Sequence, residues 1–310
     1  MRKNLENPKG RLFKDALLAY QLKLHSEHKM TLDTARRLDR LLRAFGERPV
    51  ADIDQAEWTS FIVEKMGGRS PATIQRNIVV MKAVLNHAAG MGWRVNRLSG
   101  PRLGKKGHRT VHLRQDEVIP VVNYIRRKYG VAYGFLVLLL CDTGLRFGEA
   151  WNLRWCDLGA EWIEVAIGSY SHTKTNPRQI PTSPRLLDYM AKYNIVPPLE
   201  RAASAKSVLA SMMGGTRTTV CKDVGIALKD AVVAMGCMCG PDIRVHDLRH
   251  TFAYLCALAG ADIADIKELM GHYSIDMTMR YRGFVRSRGS LIIKEGMSVV
   301  ESVPTEARVE

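Results

Sequence analysis

The chain has 310 residues, which at about 150 residues per domain predicts two domains, each large enough to bury a core. Hydrophobic residues make up 46% of it and charged residues 25%, a balance that argues against wholesale disorder. Its longest uncharged run has 13 residues (129–141), whereas a bilayer span needs about 20. Residues 1–10 also lack the apolar stretch of a secretion signal. We therefore expect a cytoplasmic protein without a membrane partner, whose six scattered cysteines are reduced thiols.

Positive charge is concentrated in the first third of the chain. The formal net charge is +15, and residues 1–110 carry 22 Lys and Arg against 10 Asp and Glu. Residues 111–310 carry 24 against 21. An excess of this kind favours a polyanionic partner, most often nucleic acid, and its uneven distribution favours one module that grips phosphates beside another that carries chemistry.

Apolar residues at three- and four-residue intervals predict an all-helical module over residues 1–96. Its helix boundaries are predicted from a Thr31 cap and a Gly46 stop, a segment from Asp54 to Met66, and a helix that opens at Ser70 and continues to about Gly90. Residues 97–113 combine glycines with basic residues and predict an interdomain linker that touches a phosphate backbone. The candidate DNA-binding residues of this linker are Arg102, Lys105, Lys106 and Arg109.

A second module, residues 114–289, is expected to be mainly helical with a small β-sheet. Helices are predicted near 115–129 and 132–141, and strands at 161–167 and 178–182, joined by a polar turn. Three later helices are predicted to begin at an Asp247 cap, an Asp262 cap and Ser274. Residues 290–310 are expected to form a C-terminal tail that is either mobile or a partner-binding segment.

Four places in this second module carry polar residues that a plain structural helix would not need. Two arginines can clamp the oxygens of one phosphate, histidines can move protons near neutral pH, a lysine can protonate a leaving oxygen and a tyrosine can attack as a nucleophile. Together they predict a phosphoryl-transfer site that uses neither a metal nor a cofactor. The candidate residues are Arg146, Lys174, His246, Arg249, His272 and Tyr281.

Four blocks, TGLRFGEA, HTKTNPRQIP, HDLRHTFA and LMGHYSIDMTMRY, resemble in their order and spacing the tyrosine recombinases, or phage integrases. The resemblance covers about residues 10–290. It implies an N-terminal helical core-binding (SAM-like) domain and an α+β catalytic domain that close as a clamp on double-stranded DNA. The first block departs from the family's more usual pattern around its acidic residue, although the arginine and the acid are intact.

The resemblance also implies a role for each matching residue. Arg146 and Arg249 would bind the scissile phosphate, and His272 would bond a non-bridging oxygen. Lys174 would be the general acid on the 5′ oxygen, His246 would assist proton transfer, and Tyr281 would form a 3′-phosphotyrosyl link. Glu149 would be a supporting acid that orients the histidine of the His-x-x-Arg pair.

The family's assembly adds further expectations. The protein would act as a homo-tetramer on two duplexes and be nucleoid-associated when bound to DNA, with accessory DNA-bending or directionality proteins as further partners. Only about ten residues precede the first predicted helix, so we expect no separate arm-binding domain. Deletion of residues 291–310 is expected to spare DNA binding but impair recombination.

Four alternatives remain open from the sequence. The chain could resolve replicon dimers instead of integrating or excising a mobile element, or it could nick and reseal one duplex as a type IB topoisomerase does. A zinc hydrolase would use His246, His250 and His272 as ligands. A DNA-binding regulator would keep the fold without the chemistry.

Overall fold

A computed structural model describes residues 11–101, 111–165, 176–195 and 207–283. The chain divides into two compact units, residues 1–107 and 108–310. Within the described residues the first unit is helical, and the second combines helices with one two-stranded sheet. This confirms a mainly α fold with a small β-sheet.

Four helices make up the described part of the first unit: α1 (Phe13–Ser26), α2 (Leu32–Phe45), α3 (Gln55–Met66) and α4 (Pro71–Gly90). The predicted caps at Thr31 and Ser70 are confirmed, because each side chain accepts a hydrogen bond from a backbone N–H of the first turn. Asp54, predicted only as the start of a segment, caps α3 in the same way. Each helix turns apolar residues towards a shared core, in which Trp58 stacks on Phe61 with ring centroids 5.5 Å apart.

The second unit begins with the helices and strands that surround one central helix. In order these are α5 (Gln115–Tyr129), α6 (Val131–Thr143), α7 (Phe147–Asn152), β1 (Trp162–Val165), β2 (Arg178–Pro181) and α8 (Pro184–Lys192). Helix α6 is apolar on every side and buried from Gly134 to its end, as expected of a helix covered by others all round. Four further helices follow: α9 (Val208–Met213), α10 (Arg217–Ala234), α11 (Asp247–Ala259) and α12 (Ile263–Met270).

Strands β1 and β2 pair antiparallel, with Ile163 opposite Ile180 and Val165 opposite Arg178. These four residues are buried while their neighbours along each strand are less so. Arg178 therefore points to the inner face of the sheet, a position that an apolar residue would normally occupy.

Two predicted helix starts are wrong. Asp247 is the first residue of α11 and not its cap, because its Oδ2 accepts the backbone N–H of Arg244 at 2.9 Å, which leaves the cap position to His246. The helix predicted from Ser274 is instead two 3-10 turns, Ile275–Met277 and Met279–Tyr281, separated by the buried Thr278.

All six cysteines lie within the described ranges and are unpaired. No helix in the described part of the chain is long and apolar enough to cross a membrane.

Candidate active site

The first predicted phosphate-binding arginine lies where the chain leaves the central helix. Helix α6 ends at Thr143 with Gly144 as its C-cap, and Arg146 is the residue before α7. Cations are unfavourable at a helix start, but Glu149 compensates here. The carboxylate of Glu149 accepts a hydrogen bond from the backbone N–H of Arg146 at 3.0 Å and another from Nη1 of the Arg146 guanidinium at 2.8 Å. Glu149 therefore caps α7 and holds the arginine beside it.

The second arginine, Arg249, is in the first turn of α11 and is almost completely buried. It donates one hydrogen bond to the carbonyl of Gly144 and another to the carbonyl of Met270, at 2.6 Å in the second case. These contacts join the ends of α6 and α12 to the start of α11. They use two of the five N–H groups of a guanidinium, so the described residues leave others available to an anion.

His272 follows α12, whose C-cap is Gly271 in the left-handed conformation (φ +64°). Its Nδ1 is 2.7 Å from Oγ1 of Thr278, a fully buried residue between the two 3-10 turns. Burial, reinforced by the charges of Arg249 and Arg146, lowers the pKa of His272 to about 3. The imidazole is therefore neutral at physiological pH, and Thr278 fixes its orientation.

Tyr281 ends the second 3-10 turn, and only 2% of it is exposed. Its hydroxyl is 2.6 Å from Nδ1 of His250 on α11. Burial raises the pKa of Tyr281 to about 12, although the positive charge of Arg249 acts in the opposite direction. The nucleophile predicted from the sequence is therefore a protonated phenol that contacts a histidine.

These side chains are close enough for the charge of one to shift the pKa of another. Burial, and then the charges of Arg146 and Arg178, lower the pKa of Arg249 to about 9, which still leaves it a cation at neutral pH. His246, the exposed residue that precedes α11, has its pKa lowered by partial desolvation among its neighbours and by the charge of Arg249. The structure thus brings together every described member of the predicted set: Arg146, His246, Arg249, His272 and Tyr281.

Sequence reasoning missed Arg178, which reaches the same cluster from β2. Its Nη2 donates to Glu149 at 2.9 Å and its Nε to the carbonyl of Leu269 at 2.7 Å. A Cβ on Gly271 would lie 2.6 Å from its Nη1, so any larger residue there would force the guanidinium to shift. The alternation of side chains along RQIP could have indicated that Arg178 is buried, because in a strand it lies on the same face as Ile180, which is buried.

Glu149 therefore contacts two arginines. Burial by itself would raise its pKa, but the charge and hydrogen bond of Arg178, with the hydrogen bonds of Arg146, outweigh it and lower the pKa to about 2. Its expected role in orienting the histidine of the His-x-x-Arg pair stays a prediction.

Several predicted residues lie outside the described residues. They are Lys174 and the linker residues Arg102, Lys105, Lys106 and Arg109; the whole tail, residues 290–310, is also outside them. In the ranges that are described, no group of three or more His, Cys, Asp or Glu side chains is arranged to hold a metal ion.

The two buried neutral histidines predict a loss of stability in mild acid. The pKa values of His250 and His272 in the folded chain, about 4 and about 3, lie below the ordinary value of 6.5. As the pH falls below 6.5 the unfolded chain binds protons that the folded chain does not. The free energy of unfolding should therefore fall, by up to about 1.4 kcal/mol per pH unit for each histidine.

Urea unfolding between pH 7.5 and 5 measures this slope. His272→Asn removes one contribution and should flatten the profile of the second unit. A wild-type profile that is flat over this range would contradict the burial of these histidines as neutral groups.

Gly144 supplies a second prediction, because it caps the end of α6 and its carbonyl accepts a hydrogen bond from Arg249. Its φ is +60°, and an added Cβ would overlap the ring of Phe252. Gly240 has almost the same φ, +63°, with nothing within 4 Å. Both Gly→Ala variants incur the left-handed cost of about 1–2 kcal/mol, but Gly144→Ala should lose about 1–3 kcal/mol more through overpacking. Equal losses of unfolding free energy for the two variants, measured in urea, would show that the ring of Phe252 can move aside without cost.

Comparison with known proteins identifies the family of this chain. The profile of the phage integrase family matches residues 112–285, more than half of the chain. The integrase of Haemophilus phage HP1 is 25% identical over 238 residues, which are 76% of this chain and 62% of the relative, so the match spans less than two thirds of that protein. Tyrosine recombinase XerC of Xanthomonas campestris pv. campestris is 26% identical over 262 residues, 81% of this chain and 77% of the relative.

Among solved structures, the Tn1549 transposon integrase in complex with transposon right end DNA has the same fold. The TM-score is 0.69 at 19% identity, with 90% of this chain and 99% of that chain covered. On the family match, the chain belongs to the phage integrase family, the tyrosine recombinases.

Proposed function

We propose that this chain is a site-specific DNA recombinase of the integrase type, which cleaves and rejoins strands through a 3′-phosphotyrosyl intermediate. One observation carries the proposal. The hydroxyl of Tyr281, the guanidinium groups of Arg146 and Arg249, and the imidazole of His272 come from four separate segments and meet in one cluster. The alignments with an integrase and with a Xer recombinase support the same activity.

In this mechanism the cluster stabilises negative charge at phosphorus. Arg146 and Arg249 bind the non-bridging oxygens of the scissile phosphate, and His272 donates a hydrogen bond to one of them. Their side chains are fixed before DNA arrives, by Glu149 for Arg146, by two main-chain carbonyls for Arg249 and by Thr278 for His272. Charge that develops in the transition state therefore meets donors that need little reorganisation.

Tyr281 Oη then forms a bond to phosphorus as the bond from phosphorus to the 5′ oxygen breaks. We assign the proton that the 5′ oxygen receives to Lys174, which lies between β1 and β2 in the sequence, and an assisting role in proton transfer to His246. Because the phosphotyrosyl bond conserves the energy of the phosphodiester, the 5′ hydroxyl of another strand can reverse the attack. Rejoining to that strand completes an exchange.

DNA grip is assigned mainly to the basic first unit and to the linker arginines and lysines. Their contacts to phosphates would release counterions, so affinity should fall steeply with salt. The assembly in this proposal is a homo-tetramer on two duplexes in the cytoplasm, with the tail after residue 290 reaching a neighbouring protomer. Accessory DNA-bending or directionality proteins complete the partners we propose.

A two-duplex assay tests the proposed recombinase activity. Two labelled linear duplexes from the ends of the chain's own genetic element are incubated with the protein, and recombinant lengths are measured on a gel. Recombinant products that disappear with Tyr281→Phe support the proposal. Relaxation of a supercoiled plasmid that lacks the site, without recombinants, would instead indicate a type IB topoisomerase. Recombination that occurs only between the two copies of a site within a replicon dimer would indicate a dimer-resolving enzyme.

A further inference from the structure

We propose that His250 is the catalytic base of Tyr281: it takes the proton from the phenol as Tyr281 attacks phosphorus, and returns it when the strand is rejoined. The inference rests on the proposed function and assigns one proton transfer within it. Nδ1 of His250 is the atom that contacts the nucleophilic oxygen. The sequence predicts no role for His250 in phosphoryl transfer and indicates it only as a zinc ligand in one alternative.

The geometry of the contact is that of an acid and its base. Nδ1 of His250 and Oη of Tyr281 are 2.6 Å apart, and the two ring centroids are 5.6 Å apart. Both residues are buried, at 4% and 2% exposed. A distance of 2.6–3.2 Å between heavy atoms is the reach that a general base needs.

The protonation states agree with this direction of transfer. Burial, and then the neighbouring His246, lower the pKa of His250 to about 4, so its imidazole is neutral at physiological pH. The pKa of Tyr281 is raised to about 12, so the phenol holds its proton. Tyr281 is therefore the donor and Nδ1 the acceptor, which places the imidazole hydrogen on Nε2.

A third group faces the other nitrogen of the ring. Oδ1 of Asp247, itself buried, is 3.9 Å from Nε2 of His250. This distance exceeds a hydrogen bond, but a carboxylate there stabilises the imidazolium that forms when His250 takes the proton. A nucleophile, a base within hydrogen-bond distance and an acid behind the base are the arrangement by which weak oxygen nucleophiles are activated.

The remaining charges around His250 explain why DNA is needed for the transfer. Besides Tyr281, the titratable and charged groups that act on it are His246, Asp247, Arg249 and Arg280. The two arginines oppose an imidazolium in the free protein. A bound phosphate neutralises them and adds negative charge, which raises the proton affinity of His250 at the moment of attack. The step balances: Oη bonds to phosphorus, its proton moves to Nδ1, and the 5′ oxygen leaves with a proton from Lys174.

His250→Asn tests the assignment, because the asparagine amide occupies nearly the position of Nδ1 and can still accept a hydrogen bond but not a proton. The substrate is a duplex from the ends of the chain's genetic element, nicked beside the cleavage site so that the covalent product is trapped. At pH 7 the single-turnover rate of covalent adduct formation should fall about 10²–10⁴-fold. DNA binding on a native gel should be unchanged. Tyr189→Phe, which removes a hydroxyl on α8 that donates to the carbonyl of Val131 at 3.0 Å, is the control variant and should cleave at the wild-type rate.

The pH profile separates a base from a packing residue. Without His250 the phenol must lose its proton to solvent, so the rate of His250→Asn should rise about tenfold per pH unit between pH 7 and 9. A fluorinated tyrosine at position 281, with a lower phenol pKa, should speed up His250→Asn more than it speeds up the wild type.

Four results overturn the assignment. A His250→Asn rate equal to the wild-type rate removes the base, and a faster rate would mean that His250 only holds Tyr281 inward. A slow rate that neither pH nor the fluorinated tyrosine restores would mean a structural role. Failure of the wild type itself to form an adduct, with binding intact, would instead overturn the proposed function and the assignment together.

Discussion

Arg249→Lys is expected to lower the rate of strand cleavage by about a hundredfold to a thousandfold, while affinity for duplex DNA changes little. Lysine keeps the charge, but it cannot bind two phosphate oxygens and two main-chain carbonyls at once as a planar guanidinium can. Loss of a donor fixed at the developing charge costs about 3–4 kcal/mol in the barrier. Single-turnover adduct formation on a nicked duplex measures the rate.

The same substitution should also destabilise the second unit. The carbonyls of Gly144 and Met270 would compete for one ammonium group, and a buried carbonyl left without a donor costs about 1–3 kcal/mol. Arg244→Lys, at an exposed arginine five residues earlier, is the matched control and should alter neither quantity. A near-normal cleavage rate for Arg249→Lys would contradict the phosphate-binding role.

Glu149→Ala is expected to lower the free energy of unfolding of the second unit by about 3–5 kcal/mol, because it leaves Arg178 buried without a counter-ion. The side chain of Arg178 is 5% exposed and that of Glu149 is 3% exposed. The double variant with Arg178→Ala should lose less than the two single losses added together, because it removes both charges. Urea unfolding measures all three variants.

Asp157→Ala is the matched control for this experiment. Asp157 accepts the backbone N–H of Arg154 at 3.0 Å and pairs with its side chain, as Glu149 does with Arg146. Arg154 is 26% exposed at its side chain, so removing Asp157 should cost only about 1–2 kcal/mol. Losses of equal size in the two variants would mean that Arg178 is not the cause of the larger effect.

Local chemistry was enough to predict much of this molecule. The caps at Thr31 and Ser70 and the stop at Gly46 could be predicted directly, because such residues satisfy unpaired backbone groups at a helix end. The order of motif blocks identified the family, and residues on α11 and after α12 come together as the motifs imply.

Interactions between distant segments were beyond such reasoning. Asp247 reads as a cap, yet its carboxylate turns back to Arg244, and the segment after Ser274 winds into 3-10 turns so that Thr278 reaches His272. His250 looks like one more buried helix residue until the turn that carries Tyr281 is packed against it. Such roles depend on which side chains from other segments fill a given space, and residue spacing does not contain that information.

The central claim is that Tyr281 becomes covalently joined to DNA. The most direct measurement incubates the wild type and Tyr281→Phe with a nicked duplex from the ends of the chain's own genetic element, in chelator, and separates the products on a denaturing gel. The adduct band is then digested and its modified peptide identified by mass spectrometry. We predict a slowly migrating adduct from the wild type alone, joined at Tyr281. An adduct from both proteins, or one that forms only without chelator, would contradict the account.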